Sequence, residues 1–168
     1  RYGIISTTHG NAVHIAPDRA YRVYISQRLC RYITPFGQKE NIMRGKFITF
    51  EGCDGCGKST QLRLLSEYLT KNGVDHIFTR EPGGGKSSEA SREILLNGKN
   101  AEMTDECEAL LYAAARAQHL RDKVEPALCQ GKLVVCDRYV DSSFAYQAFA
   151  RGLGVEFIEK INAFAIET

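Results

Sequence analysis

No stretch of this 168-residue chain approaches the roughly 18 consecutive apolar residues that span a bilayer, so no membrane segment is expected. The polar opening RYGIISTTHGNAVH lacks the apolar centre of a secretory signal, and a cytoplasmic location is the default expectation. The dense, regular cysteine framework of small secreted domains is also missing. Six cysteines (Cys30, Cys53, Cys56, Cys107, Cys129 and Cys136) stand at irregular spacings and read as reduced thiols. There is no large surplus of charge either: the net value is +2, which argues against a nucleic-acid partner recognised through a global basic patch.

What is present is an ordinary globular mixture, 43% hydrophobic and 25% charged, of a length that suits one core. Charge is unevenly spread. Residues 1–45 hold seven Lys or Arg against two Asp or Glu, while the remainder holds 15 basic and 18 acidic groups. Residues 1–42 show scattered Arg and Tyr, Pro17 and Pro35, and no sustained helical or strand period. They read as an extension, either disordered or not native protein. His9 and His14 lie too far from any cysteine pair to suggest a metal site. The first internal Met is Met43, and codons for Lys39-Glu40 can supply a ribosome-binding sequence ahead of it; translation is expected to begin there.

From Phe47 to Phe50 a short apolar, β-branched run has the pattern of a buried parallel strand. Gly52-Cys53-Asp54-Gly55-Cys56-Gly57-Lys58-Ser59 then fits G-x-x-x-x-G-K-[ST], and a helical stretch from Thr60 to Lys71 follows. The glycines let peptide N–H groups wrap phosphates at a helix N-terminus, Lys58 reaches the β- and γ-phosphates, and Ser59 ligates Mg²⁺. Thr60 opens the helix beside them. Chance would produce this pattern in roughly one such chain in a hundred, even before strand and helix context is required. Cys53-x-x-Cys56 looks like a redox or zinc half-site, but without a second pair coincidence is the better reading.

A second strand, Val74 to Thr79, leads into Arg80-Glu81-Pro82-Gly83-Gly84-Gly85. An arginine and a carboxylate are thereby set at a strand's C-terminal end, where open α/β sheets bind ligands; a plain surface turn is the alternative. Helical sequence follows from Ser88 to Leu96 and from Asp105 to about Leu128, with an interruption expected near Pro126. Tyr112 and Arg116 share one face at i and i+4, suited to stacking on a base and hydrogen-bonding its carbonyl edge, or else a core tyrosine beside a solvated arginine. Leu133 to Cys136 is a third buried-strand run, ending in Asp137-Arg138-Tyr139. An acid directly after such a strand is the arrangement that holds a carboxylate near Mg²⁺ or its waters. Ser142, Ser143 and Gln147 follow and would by themselves pass as helix caps.

Together FITFEGCDGCGKST, FTREPGG, LLYAAARAQH and VVCDRYVDSSFAYQ resemble the thymidylate kinases, from about Met43 to the end, including RGLG at Arg151–Gly154. The resemblance implies an α/β fold of the P-loop nucleoside monophosphate kinase type, a parallel sheet flanked by helices. It implies phosphorylation of dTMP to dTDP, with ATP and Mg²⁺ and without nucleic-acid or membrane partners, by a homodimer when complete. Residue by residue, it gives Gly52 to Thr60 to ATP, with Asp54 near the dTMP sugar or the metal and Ser59 and Asp137 toward Mg²⁺. Arg138 and Arg92 would hold the acceptor phosphate, Arg80 and Glu81 the loop around the nucleotide. Tyr112 takes the base-stacking position, Arg116 faces thymine, and Ser142, Ser143 and Gln147 complete the pocket. Lys58, Arg138 and Asp54 form the catalytic group. Gly85-Lys86 and Cys56 depart from the residues usual in the family. Residues 43–168 resemble its first three-fifths, so the chain reads as a fragment, inactive by itself. Binding of nucleotide phosphate without turnover, or a different P-loop kinase, are the competing readings.

Overall fold

The computed structural model describes residues 11–13, 21–26 and 44–166. Three parallel strands form its centre: β3 (Phe47–Gly52), β5 (Leu133–Asp137) and β4 (His76–Arg80), with β5 in the middle. Two further strands, β1 (Asn11–Val13) and β2 (Tyr21–Ser26), extend the sheet beyond β3 in antiparallel fashion, giving the order β1-β2-β3-β5-β4. No strand was expected in this segment. Its Tyr, Val and Ile residues suit a pleated surface, and a backbone pairing from Tyr21 opposite Gly52 to Ser26 opposite Phe47 does not require a regular apolar period.

Alternation along the parallel strands supplies two apolar faces. Phe50, Val135 and Leu69 pack with Ile48, Leu62, Leu65 and Phe78, which seats α1 (Lys58–Lys71) on one side. On the other, Phe47, Val134 and Cys136 meet Leu120, Val124, Leu128, Tyr139 and Ala165. That layer is built from the turn that follows α3 (Asp105–His119), from α4 (Glu125–Cys129), from α6 (Val155–Ile166) and from Tyr139 just after β5. Helix α2 (Lys86–Leu96) lies against α3, with the Ser88 hydroxyl donating to the Ala115 carbonyl at 3.0 Å.

The helix from Asp105 does not break at Pro126. Between α3 and α4 the backbone widens into a π-helical turn, Leu120–Val124, where the Glu125 N–H reaches the Leu120 carbonyl five residues back. Pro126 then falls at the start of the next helical segment, where a missing N–H costs little. A second π-helical stretch, Phe144–Ala150, continues α5 (Val140–Ser143). Among the described cysteines, Cys53, Cys56, Cys107 and Cys136 are free thiols, whereas Cys129 is disulfide-bonded, which corrects the reading of all six as reduced. No helix among the described residues is long and apolar enough to cross a membrane.

Candidate functional site

All three parallel strands end at one edge of the sheet, and each delivers charge there: Glu51 from β3, Arg80 and Glu81 from β4, Asp137 and Arg138 from β5. The loop after β3 bends through positive φ at Gly55 (77°) and Gly57 (97°), the latter capping α1 in the left-handed region that glycine alone enters without strain. Lys58 is buried, its Nζ donating to the carbonyls of Gly52 (2.8 Å) and Cys53 (2.9 Å), with Cys56 Sγ 4.0 Å away. Asp54, Gly55, Gly57, Lys58, Ser59 and Thr60 line a cavity of about 430 Å³ together with Arg80, Glu81, Arg92, Asp137 and Arg138. Gly52, Cys53 and Cys56 are not among its lining residues; the Gly52 and Cys53 carbonyls hold Lys58, and the Cys53 side chain is exposed.

A second cavity, of about 560 Å³, adjoins the first and shares Asp54, Glu81, Arg92 and Arg138 with it. Its other walls include Tyr112, Arg116, Ser142, Ser143 and Gln147, so the residues expected around an acceptor nucleotide do come together. Burial, with Glu108 nearby, pushes the Tyr112 phenol above its ordinary range and keeps it neutral. Arg138 is held by an ion pair with Asp54, by Ser142 Oγ at 3.3 Å, and by the ring of Tyr146, whose centroid lies 5.7 Å from the guanidinium carbon. Arg80 pairs instead with Glu89 at 3.2 Å, and the Gly84 amide with Arg80 holds that carboxylate below its usual range. Arg92 donates to the Pro82 carbonyl at 2.9 Å.

Arg116 is more heavily committed than its helical position suggests. Nε donates to Glu81 at 2.6 Å, Nη1 to Asn162, and Nη2 to the Tyr139 carbonyl at 3.3 Å and Ser143 Oγ at 3.1 Å. Of five guanidinium N–H groups, one is left for anything in the cavity. Glu81 is equally enclosed: its other oxygen meets His119 Nδ1 at 2.9 Å, and His119 Nε2 meets Thr79 Oγ1 at 2.7 Å. Gln147 donates to Glu108 at 2.7 Å. Glu81 is thus a buried counter-ion of Arg116 as well as a wall of the cavity.

Sequence reading missed Glu51, His119, Asn162 and Glu108. Glu51 left a trace, a carboxylate inside an apolar strand run; it is buried and accepts from the Tyr139 amide and from Ser142 Oγ at 2.7 Å. Burial, opposed by those two hydrogen bonds, pushes its carboxyl from 4.5 up to about 7.

A divalent cation fits one place in this site. Asp137 Oδ1 is buried without a hydrogen-bond partner, and Asp137 lines the same cavity as Ser59. An orphaned carboxylate oxygen beside a hydroxyl in a phosphate-sized cavity suits Mg²⁺ held jointly with phosphate oxygens. Among the described residues no cluster of three or more His, Cys, Asp or Glu could hold a metal by itself.

A parallel sheet, a glycine-rich loop opening a helix, and an acid at the end of the neighbouring strand define a P-loop protein of the nucleoside monophosphate kinase fold. Comparison with known proteins narrows this: the family model for thymidylate kinase matches residues 50–167, and the chain belongs to that family. The thymidylate kinase of Geobacillus sp. (strain WCH70) is 55% identical over 125 residues, 74% of this chain and 60% of the relative. That of Ligilactobacillus salivarius (strain UCC118) is 58% identical over 126 residues, covering 74% and 61%. The crystal structure of thymidylate kinase from Ehrlichia chaffeensis is 40% identical and aligns with a TM-score of 0.66 over 73% of this chain and 68% of that one. The chain spans about three-fifths of the length of the curated relatives it matches.

Proposed function

We propose that the protein to which this chain belongs transfers the γ-phosphate of ATP to dTMP, giving dTDP. The observation that carries the reading is the shared wall of the two cavities. A triphosphate on the loop around Lys58 and a monophosphate nucleotide beside Tyr112 would meet across Asp54, Arg92 and Arg138. Catalysis is then positioning and charge neutralisation, with in-line transfer and no covalent intermediate on the protein. Lys58 and Arg138 face the transferring and accepting phosphates, while Arg92 holds the acceptor. Ser59 and Asp137 would hold Mg²⁺, which supplies charge neutralisation at the β- and γ-phosphates when bound. Tyr112 offers a face for the base, and the single unspent N–H of Arg116 offers a donor to a carbonyl on its edge. A homodimer acting in the cytoplasm belongs to the same reading.

The test is a panel of nucleoside monophosphates with ATP, scored by ADP and diphosphate formation in the protein expressed from its natural reading frame. dTMP is expected to dominate; preference for another monophosphate, or none at all, would overturn the assignment. A second reading concerns these 168 residues by themselves: they bind nucleotide phosphate without turnover. It is favoured by the absence of arginine from the variable loop positions Cys53, Asp54, Gly55 and Cys56, while Arg92 and Arg138 stand on the wall shared with the acceptor cavity and Arg80, in the first cavity, is paired with Glu89. Side-by-side turnover of the chain and of the reading-frame product separates the two.

A further inference from the structure

We propose that Glu51 is the positioning residue for Arg138, fixing the guanidinium at the wall between the two cavities. Arg138 is the one non-glycine residue among the described residues with positive φ, at 69°. That region is costly for a side chain with a Cβ, and such a conformation persists only where its surroundings over-determine it. Here every backbone group around the residue is engaged. The Arg138 N–H donates to the Phe50 carbonyl at 2.9 Å, and the Cys136 thiol donates to the Arg138 carbonyl at 3.1 Å. The next amide, of Tyr139, is taken by Glu51.

Two of these partners are backbone or thiol groups of the sheet. Glu51 is the side chain that spans the gap between β3 and the start of α5. One carboxylate oxygen stops the Tyr139 amide and so fixes the turn; the other accepts from Ser142 Oγ at 2.7 Å. Ser142 in turn receives Arg138 Nη1 at 3.3 Å. A single buried carboxylate therefore holds both the backbone and a side-chain partner of Arg138 without itself lining either cavity. A group so enclosed need not touch a ligand to set how well the arginine meets one.

The inference rests on the reading of Arg138 as a contact of the dTMP phosphate, and a double-mutant cycle tests the two separately. Glu51→Ala, Glu51→Gln, Arg138→Ala and the double variant Glu51→Ala/Arg138→Ala are made in the protein from its natural reading frame, and KM is measured for dTMP and for ATP. Glu51→Ala is expected to raise the dTMP KM on the order of tenfold and leave the ATP KM unchanged. Glu51→Gln should recover most of the loss, because its amide oxygen still accepts from Tyr139. On the Arg138→Ala background, removing Glu51 should cost nothing further. If Arg138→Ala raises the dTMP KM and Glu51→Ala adds its full effect on top, the positioning role is wrong while the substrate reading stands. Equal losses for both nucleotides, or a Gln variant as impaired as Ala, overturn it too. A normal dTMP KM in Arg138→Ala sinks the phosphate contact and the positioning role with it. Should Glu51→Ala not fold, Glu51→Asp carries the same cycle, being one methylene too short to reach Tyr139 and Ser142 together.

Discussion

Replacing Glu51 by Gln should make the protein more stable at alkaline pH than it is now, and should leave that advantage absent in acid. Buried in the folded chain, the carboxyl titrates near 7 instead of 4.5. The folded state therefore binds more protons than the unfolded state through the interval between those values, and stability must fall as pH rises across it. One pKa unit corresponds to about 1.4 kcal/mol, so the full interval is worth about 3 kcal/mol. Below it both states carry a neutral carboxyl and nothing is lost. Above it the folded protein bears the whole cost of a buried carboxylate, moderated only by the Tyr139 amide and the Ser142 hydroxyl. Glutamine mimics the neutral form at every pH. Other titrating groups are common to both proteins, so the difference between their unfolding free energies isolates this one.

The assay is urea unfolding of wild type and Glu51→Gln by circular dichroism at pH values spanning about 4 to 8, extrapolated to water. The difference should drift in favour of the variant by roughly 1.4 kcal/mol per pH unit inside the window and level off outside it. A difference constant to within about 0.5 kcal/mol would mean that Glu51 ionises at its ordinary value and is better solvated than its position implies.

Lys58→Ala should lower turnover by orders of magnitude with the fold intact, since under the proposed function its ammonium neutralises the transferring group; near-normal turnover would refute the role of the loop. Glu81→Gln should lower unfolding free energy by about 3 to 5 kcal/mol, because it strips the charge partner from buried Arg116 and a hydrogen-bond partner from buried His119; a thermal midpoint equal to wild type would refute that network. Gly84→Ala, at φ 88° with its Cβ 2.6 Å from Thr79 Oγ1 and 2.7 Å from His119 Cδ2, should cost about 1 to 3 kcal/mol. Gly85→Ala, extended and with nothing nearer than 3.7 Å, should cost under about 0.5 kcal/mol, and a reversal of the pair would show that the loop is not held against His119.

The parts of the site that could be read from sequence are those fixed by local chemistry. Gly55, Gly57, Lys58 and Ser59 are dictated by one turn of backbone, and Asp137 by its position at a strand end, so spacing alone finds them. Helix boundaries came within two residues for α1 and α2, whose apolar faces repeat regularly. What escaped was set by partners distant in sequence. Arg116 looked half-free because its partners Glu81 and Asn162 stand 35 and 46 positions away, and only the folded chain brings them to the same guanidinium. The π-helical turn at Leu120–Val124 was hidden for another reason: one extra residue per turn leaves the apolar pattern nearly unchanged while relieving Pro126. The pairing of Tyr21–Ser26 with β3 is a backbone match, invisible to side-chain periodicity.

Three of the arginine–carboxylate pairs around the cavities differ in exposure, and exposure decides which can change partner. Arg138 pairs with Asp54, whose side chain is 97% exposed, and Arg80 with Glu89, 41% exposed. Such pairs are worth about 0 to 1 kcal/mol, so under the proposed function an arriving phosphate, with more charge and more acceptor oxygens, would displace the carboxylate at little cost. Arg116 and Glu81 are 2% and 3% exposed, and separating them would strand two charges away from water. Under the proposed function the exchangeable arginines would face the phosphates and the fixed one the base. That division suits the chemistry: a phosphoryl group that changes position needs donors able to follow it, whereas discrimination between bases needs a donor that cannot move. Glu51 belongs with the fixed set, holding the Tyr139 amide next to Arg138, an arrangement that under the proposed function would leave the guanidinium free to trade Asp54 for phosphate.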